Sequence, residues 1–131
     1  MGKSLFHCFL GVRRLAGVPQ FLELGRMMEE REKRDKAWVG DAVLALFARE
    51  WLLRQVDIKA GDRKAMFINM TSNHFLASFG EPTAIEAKIG VVYENEGLKK
   101  AFSYIEETYL PVFKKQEKNR NKTGSHLRRK V

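Results

Sequence analysis

The segment Trp38 to Leu53, WVGDAVLALFAREWLL, decides the fold. Seven apolar residues, Ala42 to Ala48, follow Asp41 without interruption, and Arg49 is the first charge after them. Ala and Leu dominate the run and its flanks favour helix, so the segment reads as helix and not strand. A helix apolar on every side is expected to be buried on every side. Asp41 nevertheless stands at its head, and a buried carboxylate requires a cationic partner, a metal or a proton. Asp41 therefore either pairs with a nearby cation such as Arg49 or serves as a ligand.

Upstream, Arg26 to Lys36 (RMMEEREKRDK) is dense in mixed charge and reads as a solvated helical segment running into the apolar one. The spacing predicts one helix from about Met27 to about Gln55. Gly40 then lies in its interior, at a cost of roughly 1 kcal/mol against Ala. A close backbone approach by another helix would account for it. Further upstream, Leu5, Phe6, Phe9, Leu10 and Leu15 predict a short amphipathic helix stopped near Gly17 and Pro19. This helix is expected to cap the core. The acid-free, basic start also fits an organellar transit peptide.

Downstream, Val56 to Arg63 breaks the pattern, with Gly61 as the stop signal. Lys64 to Phe79 predicts another helix, ended by Gly80, and a turn follows at Glu81-Pro82-Thr83. From Thr83, Ile85, Ile89, Val92 and Tyr93 share a helical face until Asn95-Glu96-Gly97. Leu98, Phe102, Ile105 and Tyr109 predict a last helix, which Pro111 should end or kink. No segment alternates like a strand, so the fold class is all-α.

The chain of 131 residues, 44% hydrophobic, suffices for one domain with one core. Its single cysteine, Cys8, excludes an intrachain disulfide framework and a Cys-rich zinc site. No apolar stretch reaches transmembrane length, so no membrane partner is expected. Net charge is +8, and it is concentrated near the C-terminus. Lys114, Lys115, Lys118, Arg120, Lys122, Arg128, Arg129 and Lys130 face one acid, Glu117, in that stretch. The reading is a helical domain over 1–113 and a basic, flexible arm over 114–131. Such an arm either grips nucleic acid or an anionic surface, or solubilises the terminus.

His7, His74 and His126 are scattered, and no Gly-rich phosphate loop is present. The remaining chemistry is two carboxylates at helix starts, Asp41 and Glu86. In Thr83-Ala84-Ile85-Glu86 the pattern T-x-x-E is also a capping box, with Thr83 as N-cap and Glu86 as its reciprocal partner. If the two helices pack together, the carboxylates instead offer hard oxygen ligands. Mg²⁺ suits them, because it keeps several waters and takes one or two carboxylates. An ion so held can promote attack on a phosphodiester.

Three stretches, in order, resemble the ribonuclease III family. Trp38-Val39-Gly40-Asp41-Ala42-Val43-Leu44 is similar to its signature helix. Met70-Thr71-Ser72-Asn73-His74-Phe75-Leu76-Ala77 is similar to its helix with a Ser-Asn pair. Thr83 to Tyr93, followed by Gly97-Leu98, resembles its second acidic motif and the start of its last helix. The resemblance spans roughly Asp35 to Leu110 and implies a ribonuclease III-like helical domain that dimerises through the signature helix. It implies a Mg²⁺-dependent endoribonuclease, with Mn²⁺ as a substitute ion, acting on double-stranded or structured RNA in the manner of rRNA processing. Asp41 and Glu86 carry over as the catalytic, metal-binding pair, while the eight basic residues from Lys114 to Lys130, outside the resemblance, are expected as RNA contacts from their charge.

Ala37 and Arg34 stand where the family carries two glutamates, and Thr83 stands where it carries an aspartate. The segment between Asp41 and Glu86 is also shorter than in the family. The compact Mini-ribonuclease III type, which also lacks some of these acids, is the nearest match. The resemblance implies a homodimer, or a heterodimer with a fuller copy of the fold, in the cytoplasm or else in a mitochondrion or other organelle. The thinned acid set supports an alternative, a catalytically inactive ribonuclease III-like protein that binds RNA or belongs to a ribosome.

Overall fold

The helix expected around the opening segment is α1, Val18–Arg54, in a computed structural model that describes the backbone of residues 18–130 and the side chains of residues 29–123. It begins well before Met27. Pro19 falls in its first turn, where a missing N–H costs nothing, so this proline opens a helix instead of stopping one. The helix expected over Leu5 to Leu15 lies outside the described residues.

Five helices follow: α2 (Ala60–Thr71), α3 (Asn73–Leu76), α4 (Pro82–Glu96), α5 (Leu98–Thr108) and α6 (Leu110–Lys130). No strand occurs among the described residues, so the domain is all-α as expected. No helix among them is long and apolar enough to cross a membrane. The chain divides into two compact units, 1–33 and 34–131, and the core described below lies in the second.

The break between α1 and α2 is shorter than the sequence suggests, and Gly61 lies inside the first turn of α2. The single helix expected over Lys64 to Phe79 is divided at Ser72. The Ser72 hydroxyl accepts from the Phe75 amide at 3.1 Å and donates to the Asn69 carbonyl at 2.9 Å. Those bonds hold Ser72 extended and start α3 afresh. Gly97 separates α4 from α5 with φ +91°, a conformation that L side chains rarely adopt. Pro111 occupies the second position of α6, so it too opens a helix. Residues expected as a separate flexible arm, 114–130, continue that helix. Glu117 pairs with Arg120 one turn on, and the Thr123 hydroxyl donates to the Asn119 carbonyl.

α1 supplies Val43, Leu44, Phe47, Ala48, Trp51 and Leu52 to the core. Facing them are Phe75 and Leu76 of α3, Ile85 and Ile89 of α4, Ala101 and Ile105 of α5, and Phe113 of α6. Aromatic rings meet edge to face in an unbroken series: Trp51, Phe113, Phe75, Phe79, Tyr109 and Tyr104. This geometry sets the positive ring edge against the negative face, at about 0.5–1.5 kcal/mol per pair beyond burial. The series ends in a hydrogen bond of 3.0 Å between the Tyr104 and Tyr109 hydroxyls. Burial and that bond push the Tyr109 phenol well above its ordinary range.

The apolar run is not buried on every side. Trp38 is 80% exposed, Leu53 65% and Leu46 41%. One side of α1 serves the core, and the other stands open.

Candidate functional site

The close approach anticipated at Gly40 comes from α4 of the same chain. A Cβ on Gly40 would lie 1.7 Å from the Glu86 carbonyl oxygen and 2.9 Å from the Gly90 amide nitrogen. Reciprocally, a Cβ on Gly90 would lie 2.0 Å from the Lys36 carbonyl oxygen. Both glycines are buried, and only bare backbone allows the two helices to pass here. Residues 36 and 40 of α1 meet residues 90 and 86 of α4, an antiparallel register in steps of four. One turn further along α4, Glu94 forms an ion pair with Lys36.

Asp41 and Glu86 flank this crossing. They lie near enough for Asp41 to act on the Glu86 carboxyl. Asp41 is exposed and Glu86 half-buried. The Glu86 carboxyl rises from an ordinary 4.5 to about 7, first because burial disfavours its charge, then through repulsion by Asp41 and by Glu81 and through the bond shared with Asp41. Glu86 therefore retains its proton up to near neutral pH.

The capping-box reading of Glu86 is overturned. The N-cap of α4 is Glu81, whose carboxylate accepts from the amides of Thr83 at 3.3 Å and Ala84 at 2.9 Å. Pro82 enters the first turn behind it, which moves the helix start two residues upstream of Thr83. Glu86 then sits beyond the capping turn. Arg49, the cation named as an example of a partner for Asp41, is engaged elsewhere. Arg49 lies over the Phe67 ring, 4.2 Å from its centroid.

Among the described residues, no third Asp, Glu, His or Cys joins the pair in a group fit to hold an ion. Glu81 acts on Glu86 by its field while its own oxygens hold amides. Ala37, one turn before Asp41, is 4% exposed, so a longer acid would have to displace core neighbours there. The two carboxylates suit a hard cation such as Mg²⁺ that takes few protein ligands.

The basic residues are held elsewhere. Lys114, Lys115, Lys118, Arg120 and Lys122 are exposed on α6. Lys114 lies over the Trp51 ring at 5.9 Å, and Arg120 is paired with Glu117. Trp51 follows Asp41 by ten residues, so about 15 Å of helix separates that anchor from the carboxylates. The side chains of Arg128, Arg129 and Lys130 lie outside the described residues.

A second feature borders the crossing. Trp38, Val39, Ala42, Val43, Leu46, Tyr93 and Leu98 line an open apolar groove of about 650 Å³. The resemblance implies dimerisation through the signature helix, where Trp38, Val39, Val43 and Phe47 fall on or near one stripe, but Val43 and Phe47 are core residues, 6% and 2% exposed. The open face is formed instead by Trp38, Leu46, Tyr93 and Leu98. Their exposure follows from helix phase, which a continuous apolar run does not reveal. Comparison of the chain with protein-family models, characterised proteins and solved structures gave no match.

Proposed function

We propose that the chain is a Mg²⁺-dependent endoribonuclease of the ribonuclease III type, cutting double-stranded or structured RNA as a dimer. The observation that carries this reading is the meeting of Asp41 and Glu86 across the Gly40–Gly90 crossing. Asp41 and Glu86 would hold the ion, with Mn²⁺ as a substitute. The ion supplies Lewis-acid stabilisation of a phosphodiester under attack. Asp41, exposed, presents its oxygens to solvent and substrate. Glu86 would have to release its proton to serve as a ligand, since its carboxyl is raised to about 7. The exposed cations of α6 add affinity for phosphate without reading sequence. The dimer forms on the apolar face around Trp38 and Leu46, which exposes more hydrophobic surface than an isolated chain of this size favours.

The test is nicking of duplex RNA with Mg²⁺ and with chelator. Asp41→Asn and Glu86→Gln should each abolish cleavage while leaving folding and RNA binding intact. Activity that survives both variants would sink the assignment.

A second reading is favoured by the burial of Ala37 at the position where an additional acid would stand. In it the chain is a non-catalytic RNA-binding or ribosome-associated protein. RNA binding with no cleavage in Mg²⁺ or Mn²⁺ would select it.

A further inference from the structure

The last turns of α1 and the first turns of α2 enclose a trough on the surface, with a volume of about 500 Å³. Its lining is Arg49, Leu52, Leu53, Arg63, Lys64, Phe67 and Ile68. We propose that this trough is a docking site for an acidic amphipathic helix of a partner protein. The inference stands apart from the nuclease reading, because it uses neither the carboxylates nor α6.

Three observations point to this occupant. The lining is apolar along its floor and carries three cations and no acid, so it is complementary to an apolar ridge edged with carboxylates. Leu53 and Ile68 are 65% and 54% exposed, which leaves aliphatic surface for such a ridge to cover. The Nε of Arg63 is buried without an acceptor. A donor closed off from water is costly when unmet, and a carboxylate offers a guanidinium edge two acceptors at once.

The helix itself adds to the argument. Arg63 and Lys64 stand in the first turns of α2, and its N-cap, Lys59, makes no side-chain cap. Cations there oppose the helix macrodipole, and Asp62 offsets them only in part. Folding alone gains nothing from that placement, whereas a bound anion offsets the cations.

Other occupants fit less well. The first 17 residues carry Lys3, Arg13 and Arg14 and no acid, so their charge is of the wrong sign. For nucleic acid the floor is aliphatic, and the guanidinium of Arg49 already lies over the Phe67 ring. A trough also receives a ridge more readily than it inserts into a membrane.

The probe is a synthetic peptide of about 18 residues, long enough to be helical, with Leu along one face and Glu on both flanks. Its binding is read by fluorescence anisotropy against the full chain. The wild type should bind it, and a scrambled peptide of equal charge should bind at least about ten-fold more weakly. Leu53→Lys and Ile68→Lys remove floor but add positive charge, and both positions are exposed enough to spare the fold. Each should weaken binding about ten-fold, while Arg63→Gln should weaken it and flatten its salt dependence. Equal binding of the scrambled peptide, or indifference to Leu53→Lys, would mean that charge alone is at work and would overturn the proposal. Displacement of the peptide by oligouridylate or dodecanoate at lower concentration than unlabelled peptide would assign the trough to RNA or to a small amphiphile instead.

Discussion

Helix α1 packs in two opposite ways along its length. Around Gly40 it meets α4 with no side chain between the backbones. Eleven residues on, at Trp51, it meets Phe113 of α6 ring to ring, and Phe113 in turn meets Phe75 of α3. The aromatic end gains stability from buried surface. The glycine end gives up that surface and obtains proximity, and the two carboxylates meet there. The main source of stability and the candidate site therefore lie at different places along one helix, and substitutions should separate them.

The largest loss of stability is expected at the aromatic end. Phe75 is 2% exposed and touches both Phe79 and Phe113 edge to face. Phe75→Ala should cost about 3–5 kcal/mol, from lost transfer energy and a residual cavity. The molecules that stay folded should still bind Mg²⁺ with wild-type affinity, measured by titration calorimetry at low temperature.

Gly40→Ala should show the reverse pattern. Its Cβ would overlap the Glu86 carbonyl, and backbone on both sides cannot rotate away. The helices must separate, at a cost of about 1–3 kcal/mol or somewhat more. Separation also parts Asp41 from Glu86, so Mg²⁺ affinity should fall far more than in Phe75→Ala. If Gly40→Ala melts early yet binds the ion normally, the crossing does not hold the site.

This contrast also explains what the sequence disclosed. Gly40 in a helix interior called for a close neighbour, and the neighbour exists. That it is Gly90 was not legible, because Gly90 lies in a segment whose pattern speaks only of its apolar face. Glu81 as cap was hidden by the better-known T-x-x-E pattern two residues later. Pro82 in the first turn was the available signal. Continuous apolar runs carry no phase, so the open side of α1 at Trp38, Leu46 and Leu53 could not be told from the core side. The break at Ser72 was announced by Thr71-Ser72-Asn73, three residues whose side chains compete for backbone groups, though the apolar positions on both sides favoured one helix.

Acidity offers a smaller effect at the glycine end alone. The Glu86 carboxyl sits at about 7 in the folded chain against an ordinary 4.5. Folding therefore takes up a proton in that window. Its contribution to stability is full below about 4.5, declines as pH rises and is gone above about 7. Glu86→Gln removes this contribution, so the wild type should lose stability relative to the variant between those limits. Saturating Mg²⁺ should displace the proton, and calorimetry in buffers of different ionisation heat should register its release near pH 6. A wild type and variant with parallel stability profiles would mean that the Glu86 carboxyl is not raised in the folded chain.

The smallest change in stability, and the one that tests the open side of α1, is Leu46→Glu. Leu46 is 41% exposed and lines the groove with Trp38, Tyr93 and Leu98. Val43 is 6% exposed, so Val43→Glu would bury a charge in the chain's own core and unfold it before any interface could be judged. Leu46→Glu leaves that core alone and should shift stability of the isolated chain by only about 0.5 kcal/mol. In a dimer formed on this face, the same substitution would set two like charges close together across the symmetry axis, since a two-fold interface repeats each residue. Sedimentation equilibrium should show a wild-type dimer at micromolar concentration and a folded Leu46→Glu monomer. A wild type that sediments as a monomer throughout that range would remove the dimer, and a Leu46→Glu dimer would move it to another face. A folded monomer would also show whether Mg²⁺ still binds, and so whether the carboxylate pair is complete within one chain.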